Sequence, residues 1–127
     1  MQIQMKEDTV KFVLVIYHGP AAPLPGSDRW KTLSEAEQKA IYEDYAEINK
    51  TAGITPGPPL GLASAAKTVR VLDGEVEVKN GPHLTEGVGG FYLFEAENME
   101  AAIALAARIP QARWGGAVEV RPAEKYW

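Results

Sequence analysis

Apolar residues recur along this chain with two spacings, one typical of strands and one typical of helices. Residues 10–17, VKFVLVIY, and 90–96, GFYLFEA, are apolar at almost every position and predict strands with two apolar faces. Helical spacing begins after Ser34, which can form an S-x-x-E capping box with Glu37, and it ends before Gly53. The predicted buried stripe of this helix consists of Ile41, Tyr45, Ile48 and Ala52.

Weaker patterns predict the remaining elements. The segments KTVRVL and EVEVK flank Asp73-Gly74 and predict a β-hairpin over 67–79. A second helix is expected from Asn98 to about Ile109, and a last strand over 117–122. The segments without regular spacing are a lead-in at 1–9, loops at 18–33, 80–89 and 111–116, and an irregular strand within 54–62.

Apart from the hairpin, these elements follow the order β-α-β-β-α-β. This order predicts an α+β fold of the ferredoxin-like kind, with both helices on one face of an antiparallel sheet. The hairpin is then an insertion between the second and third core strands. The length of 127 residues fits one domain spanning 1–127.

The first strand carries apolar side chains on both faces, although two helices can cover only one face of the sheet. Val13, Val15 and Tyr17 share one face, and the residues between them share the other. Large exposed apolar patches are rare in monomers, so we expect a homodimer that covers the second face. The alternative is a monomer in which the loop 18–33 folds over the sheet.

Composition and charge exclude several classes of function. The chain has no cysteine, which excludes disulfides and thiolate chemistry, and its formal net charge is −4 with dispersed lysines and arginines. Direct binding to nucleic acid is therefore not expected. The sequence has no apolar run long enough to cross a membrane and no signal-peptide pattern, so we expect a cytoplasmic protein without membrane contact.

The two histidines, His18 and His83, are the first candidates for chemistry. His83 lies in the glycine-rich segment NGPHLTEG, close to Glu86, and this pair could act as general acid and base on a small molecule. The alternative is that His83 only packs within a surface loop. His18 ends the first strand as a ligand-binding candidate or as an ordinary loop residue. No metal-ligand spacing, phosphate loop or nucleophile motif is present, so no metal and no cofactor is predicted.

A ligand pocket on the open face of the sheet is a second possibility. Charged residues alternate with valines in two predicted strands, at Arg70, Glu77, Glu119 and Arg121. If the valines face the helices, these charges share the open face with aromatic side chains, as in many small-molecule sites. The predicted ligand-binding residues are Tyr17, His18, Arg70, Tyr92 and Arg121. Alternatively the charges form a solvated face or cross-strand ion pairs.

Several segments resemble the YCII-related family in its DGPF-domain branch. They are KFVLVIY, NKTAG, TVRVLDGEVEV, NGPHLTEG, GGFYLFEAENMEAAIALAARIP and AVEVRP, in this order over about residues 10–122. The resemblance implies a dimeric α+β barrel built from ferredoxin-like domains. The Asp-Gly-Pro-Phe motif of the branch corresponds to Asn80-Gly81-Pro82-His83, so glycine and proline match while the first and last residues differ, and Glu86 matches the glutamate that follows the motif.

The resemblance implies little about activity. Shorter family members carry a His-Asp pair proposed as catalytic, with the histidine on the first helix, but residues 34–52 contain no histidine. We therefore expect a dimeric module that binds a small molecule or a protein partner in a cleft between the sheet and loop 80–90. The alternatives are an isomerase- or lyase-type enzyme that uses His83 and Glu86, and a regulatory protein linked to bacterial sigma factors.

Overall fold

A computed structural model describes residues 9–19, 23–58, 60–84 and 87–124. Its strands are β1 Val10–Tyr17, β2 Ile54–Pro56, β3 Lys67–Leu72, β4 Glu75–Asn80, β5 Val88–Ala96 and β6 Ala117–Pro122. Four of them form an antiparallel sheet in the order β2-β5-β1-β6, while β3 and β4 form a separate two-stranded sheet. The predicted split β-α-β arrangement with an inserted hairpin is confirmed.

Three helices accompany the sheet: α1 Asp28–Lys31, α2 Glu35–Asn49 and α3 Met99–Ala106. The capping box is confirmed, because the Ser34 side chain accepts from the Glu37 N–H and the Glu37 carboxylate accepts from the Ser34 N–H. Asn98 caps α3 as predicted. Short 3-10 turns occupy Ala63–Ala65 and Pro110–Ala112. None of the helices in the described segments is long and apolar enough to cross a membrane.

Helix and strand ends differ from prediction by a few residues. The helix α2 ends at Asn49, and Gly53 takes its positive φ of 91° in the turn that leads into β2. The helix α3 ends at Ala106 and not at the predicted Ile109, because the chain leaves the helix before Pro110. One helical turn, α1, lies inside the predicted loop 18–33, where the Ser27 side chain caps it. Local capping therefore formed a helix that the apolar spacing did not indicate.

Both long helices cover the same face of the four-stranded sheet. Phe12, Leu14 and Ile16 of β1 point into this core, where they meet Ile48 of α2 and Leu105 of α3. The remaining members of the core cluster are Tyr92, Phe94, Ala96, Ala102 and Ile109. The alternation predicted for β1 is therefore correct, and the even-numbered side chains are the buried set.

The opposite face of the sheet, here the open sheet face, consists of Val13, Val15, Phe91 and Leu93 at its centre. These residues pair directly across β1 and β5, and none belongs to the core cluster. Val13, Val15 and Leu93 are half-buried and Phe91 is exposed. Among the described residues, both long helices lie on the other face, so the prediction of a second apolar sheet face is confirmed.

The described part of the loop 18–33 packs on the outer surface of α2. The ring of Trp30 meets Tyr42 edge-on with centroids 5.4 Å apart, and Gln38 Nε2 donates to the Trp30 carbonyl at 3.1 Å. Tyr42 is on the exposed side of α2, away from the sheet. Residues 23–33 therefore add to the helix layer, contrary to the alternative in which this loop covers the open sheet face.

The strands β3 and β4 form a hairpin arm, Lys67–Asn80. Asp73 and Gly74 both have positive φ, 51° and 80°, as the tight two-residue turn requires. Val69 pairs with Val78 and Val71 with Val76, so the four valines share one face of the arm. We call this the valine face.

Candidate functional site

A groove of about 630 Å³ lies where the hairpin arm joins the four-stranded sheet. One wall comes from Tyr17 and Val88 at the paired ends of β1 and β5. The opposite wall comes from segment 60–66, the base of the arm and residues 82–84. Most of the lining is apolar, with Leu60, Leu62, Ala63, Ala65, Ala66, Val69, Pro82 and Leu84.

Four side chains bring polar groups to this groove. Thr68 donates from its hydroxyl to the Gly81 carbonyl at 2.8 Å, and the Lys67 ammonium donates to Asn80 Oδ1. The Tyr17 hydroxyl donates to Glu119 Oε1 at 3.3 Å. His83 is exposed at the rim. Hydrogen bonds to neighbouring residues orient three of these groups at the edge of an apolar surface, which is the composition of small-molecule sites.

A β-bulge redirects the chain at the same end of the sheet. The register of β1 and β5 shifts between Ile16 and Tyr17, and the His18 N–H donates to the Gly87 carbonyl at 3.1 Å. Bulges commonly re-aim side chains beside functional sites. The His18 imidazole occupies the space that a side chain at Gly89 would need, because a Cβ there would lie 1.7 Å from His18 Nε2.

His18 is joined to the helix layer by a buried amide. Gln111 is 4% exposed, accepts a hydrogen bond from the Tyr45 hydroxyl at Oε1, and lies with Nε2 3.3 Å from His18 Nδ1. Because an amide nitrogen can only donate, His18 Nδ1 must accept, and the proton of the neutral imidazole resides on Nε2. The chain Tyr45–Gln111–His18 therefore fixes the ring orientation and the tautomer of His18.

Burial also favours the neutral forms in this chain of groups. The pKa of His18 lies below its usual value because desolvation disfavours the imidazolium. The pKa of Tyr45 is raised, mainly by burial and in spite of its hydrogen bond to Gln111. The lowered pKa of His18 therefore favours the neutral imidazole at neutral pH.

The family model of the YCII-related domain matches residues 10–125. The chain belongs to the YCII-related family. This match spans all six strands and all three helices that the structure describes. No relative was found among the curated proteins.

In this YCII-related chain, the structure separates the residues that were predicted to share one ligand pocket. Tyr92 is 6% exposed and lies in the core, because it pairs with the buried Leu14 across β1 and β5. The prediction that Tyr92 shares the open face is therefore wrong. Arg70 and Glu77 pair with each other on the hairpin arm, outside the four-stranded sheet, so their predicted place is wrong as well.

The other two predicted charges do lie on the four-stranded sheet, and one of them contacts Tyr17. Arg121 Nη1 is 3.7 Å from Glu119 Oε2, and Glu119 also accepts the hydrogen bond from Tyr17. Valines 118 and 120 of the same strand pack against the core. The open face at the β6 edge therefore carries an exposed ion pair within a single strand, which agrees with the predicted solvated face and not with the predicted cross-strand pairs.

Of the candidate acid-base pair His83 and Glu86, the structure describes His83. His83 borders the groove and also a second cavity of about 580 Å³ along the arm. The second cavity is lined by Thr68, Arg70, Glu77, Val78, Lys79 and His83. Glu86 lies outside the described residues. No group of three or more His, Asp or Glu side chains within the described ranges is close enough to hold a metal ion.

Sequence reasoning missed Gln111 and assigned Tyr45 only to the apolar stripe of α2. A tyrosine in a buried stripe needs a partner for its hydroxyl, and this requirement was the available signal. The identity of the partner depended on the fold, because Gln111 is 66 residues from Tyr45 and 93 from His18 along the chain.

Proposed function

We propose that this YCII-related domain binds a small, mainly apolar molecule with a polar end in the groove between the hairpin arm and the sheet. The observation that carries the proposal is the groove itself, with an apolar lining and a few oriented polar groups at one end. Burial of apolar ligand surface supplies affinity, whereas the hydrogen-bonding groups orient the ligand.

The charge of the groove favours an acidic end on the ligand. Lys67 is the only Lys or Arg in the described lining, and His83 at the rim supplies a further donor. Glu119, which holds Tyr17, lies outside that lining. The described lining contains no carboxylate, so an anionic group of the ligand would gain a charge-assisted hydrogen bond from Lys67.

We propose further that the domain is a homodimer that covers the open sheet face, and that it belongs to the DGPF branch. The support for the homodimer is the apolar row of Val13, Val15, Leu93 and Phe91, together with the packing of residues 23–33 on α2 instead. The support for the branch is the segment NGPHLTEG, which keeps Gly81 and Pro82 of the motif.

Binding of 8-anilinonaphthalene-1-sulfonate tests the groove, because this probe combines an apolar body with an anionic group. We expect saturable fluorescence enhancement, with amide chemical-shift changes concentrated at segment 60–66 and at Val88. Leu62→Ser should weaken binding about tenfold, since a leucine side chain contributes roughly that much when a ligand buries it.

Ile103→Ser is the matched control for this experiment. Ile103 is also an exposed apolar residue, but it lies on α3 outside the groove lining. If both variants weaken the probe equally, or if the shift changes spread over the whole surface, the proposed groove is not the binding site.

A second candidate function is proton transfer by His83. Its support is the exposed imidazole at the border of both cavities. For any groove ligand that the protein converts, His83→Gln should abolish turnover and leave binding within about twofold. Unchanged turnover in His83→Gln would remove His83 from the mechanism.

A further inference from the structure

The valine face is an apolar surface that stays exposed to solvent in the single chain. Val69, Val71, Val76 and Val78 are 59%, 62%, 68% and 61% exposed. They form two directly opposite cross-strand pairs, so they make one contiguous strip. A contiguous apolar patch that is exposed to solvent often marks a contact surface.

The arm has little to hold it in the isolated chain. Every residue of β3 and β4 is exposed except Thr68, which is half-buried. A two-stranded hairpin without a packed face is marginal in water, because stability requires a third strand or a supporting layer. A surface that covers one face of the arm would therefore stabilise its six-pair ladder.

The valine face and the open sheet face border the same groove. Val69 of the arm lines this groove together with Tyr17 and Val88, which lie at the edge of the open sheet face. Any partner that covers the sheet face at this end therefore also meets the base of the arm. We infer that the valine face packs against the second copy of the chain, so that arm and open sheet face form one dimer surface.

The distribution of charge favours a second copy as the occupant. Beyond Lys67 at its base, the valine face carries no charged side chain, whereas Arg70, Glu75, Glu77 and Lys79 all lie on the other face. The open sheet face carries its charges as the adjacent pair of Glu119 with Arg121. Two copies can therefore approach through these surfaces without like charges opposite one another at the centre.

This inference rests on the proposed homodimer, and sedimentation equilibrium separates the two. The arm variant Val71→Lys/Val76→Lys places two charges on a directly opposite pair of the valine face. We expect its dimer dissociation constant to rise at least about 100-fold over that of the unmodified protein. The control Leu72→Lys/Glu77→Gln adds the same charge on the opposite face and should shift the constant less than about threefold.

The possible results distinguish a wrong arm contact from a wrong homodimer. A dimer that the arm variant does not weaken overturns the inference and leaves the homodimer standing. An unmodified protein that sediments at 13.8 kDa overturns the homodimer itself, and with it a second copy as the occupant. Far-ultraviolet circular dichroism checks that the arm variant keeps the fold.

Cysteine labelling provides a second readout that does not require dissociation. The chain has no cysteine, so Val71→Cys introduces a single reactive thiol. In the dimer we expect its reaction with a maleimide to be at least about tenfold slower than that of Leu72→Cys on the opposite face. Equal rates at dimer concentrations would show that the valine face is open to solvent and would overturn the inference.

Discussion

The strands β4 and β6 share a Val-Glu-Val sequence and have different surroundings. In β6, Val118 and Val120 pack against the core under the helix layer. In β4, Val76 and Val78 are 68% and 61% exposed. The alternation is the same in both strands, and it correctly groups the valines on one face in each case.

The difference shows what a period-2 pattern determines. It sets which side chains share a face, because successive residues of a strand point to opposite sides. It does not determine what covers that face. Val118 and Val120 of β6 are partly buried because β6 pairs with β1 in the helix-covered sheet, whereas β4 pairs only with β3 among the described strands. The four-stranded sheet is thus packed within the chain, whereas β3 and β4 stay almost fully exposed among the described residues.

The largest expected effect contrasts the two regions directly. Leu14→Ala removes a completely buried side chain of β1 and should lower the free energy of unfolding by about 2–5 kcal/mol. Val78→Ala on the arm should change it by no more than about 0.5 kcal/mol under conditions where the chain is monomeric. Urea denaturation monitored by circular dichroism measures both. Similar losses in the two variants would contradict the distinction between a self-supported sheet and an unsupported arm.

Much of the fold was predictable because it depends on local signals. The capping box at Ser34, the turn at Asp73-Gly74 and the alternation in β1 each involve neighbours within a few residues. The side of the sheet on which Tyr92 lies was not predictable, because 90–96 is apolar on both faces and gives no preferred phase. That side is fixed by register, since Tyr92 stands opposite Leu14, 78 residues away in sequence (92 minus 14).

The candidate site was less predictable than the fold for the same reason. Its walls come from four separate segments, and its buried neighbour Gln111 lies in a stretch that the sequence indicates only as a loop. His83 was found because histidines are rare in this chain and Gly81 and Pro82 stand beside it. The link from His18 to Tyr45 was not found, because nothing local marks an amide as the connecting group.

The junction of the two regions offers a sharper test of packing. Gly89→Ala puts a methyl group into the His18 imidazole and should cost about 1–3 kcal/mol of unfolding free energy. His18→Ala in the same chain should recover part of that loss, since the clash is removed. Gly61→Ala is the control, because a Cβ at Gly61 meets nothing within 4 Å. Equal losses at both glycines would show that the close contact at Gly89 is absent in solution.

A smaller effect is expected for the buried hydrogen-bond chain. Tyr45→Phe leaves Gln111 Oε1 without its donor and should destabilise the protein by about 1 kcal/mol. Tyr42→Phe on the exposed side of the same helix is the matched control and should stay within about 0.5 kcal/mol. If Tyr45→Phe lowers the free energy of unfolding no more than Tyr42→Phe does, the hydrogen bond of the Tyr45 hydroxyl does not stabilise the fold.

The smallest expected effect is a pH dependence that belongs to His18 alone. Burial lowers the pKa of His18 below 6.5, so the unfolded chain takes up this proton at a higher pH than the folded chain does. The contribution of His18 to stability is therefore complete above about pH 6.5 and declines as the pH falls from there toward the folded pKa. Protonation would also place a donor on Nδ1 opposite the Gln111 amide, which can no longer donate to it.

Urea denaturation between pH 8 and pH 5 measures how the contribution of His18 to stability depends on pH. The stability difference between the unmodified protein and His18→Gln, which cannot titrate, should change in favour of the variant as the pH falls. His83 is unchanged in both proteins and cancels from the difference. Nuclear magnetic resonance of the ring nitrogens should show Nδ1 unprotonated in the neutral form and a His18 pKa below that of the unfolded chain. A His18 pKa at or above 6.5 would contradict the burial of its ring against Gly89 and Gln111, where the helix-covered sheet ends.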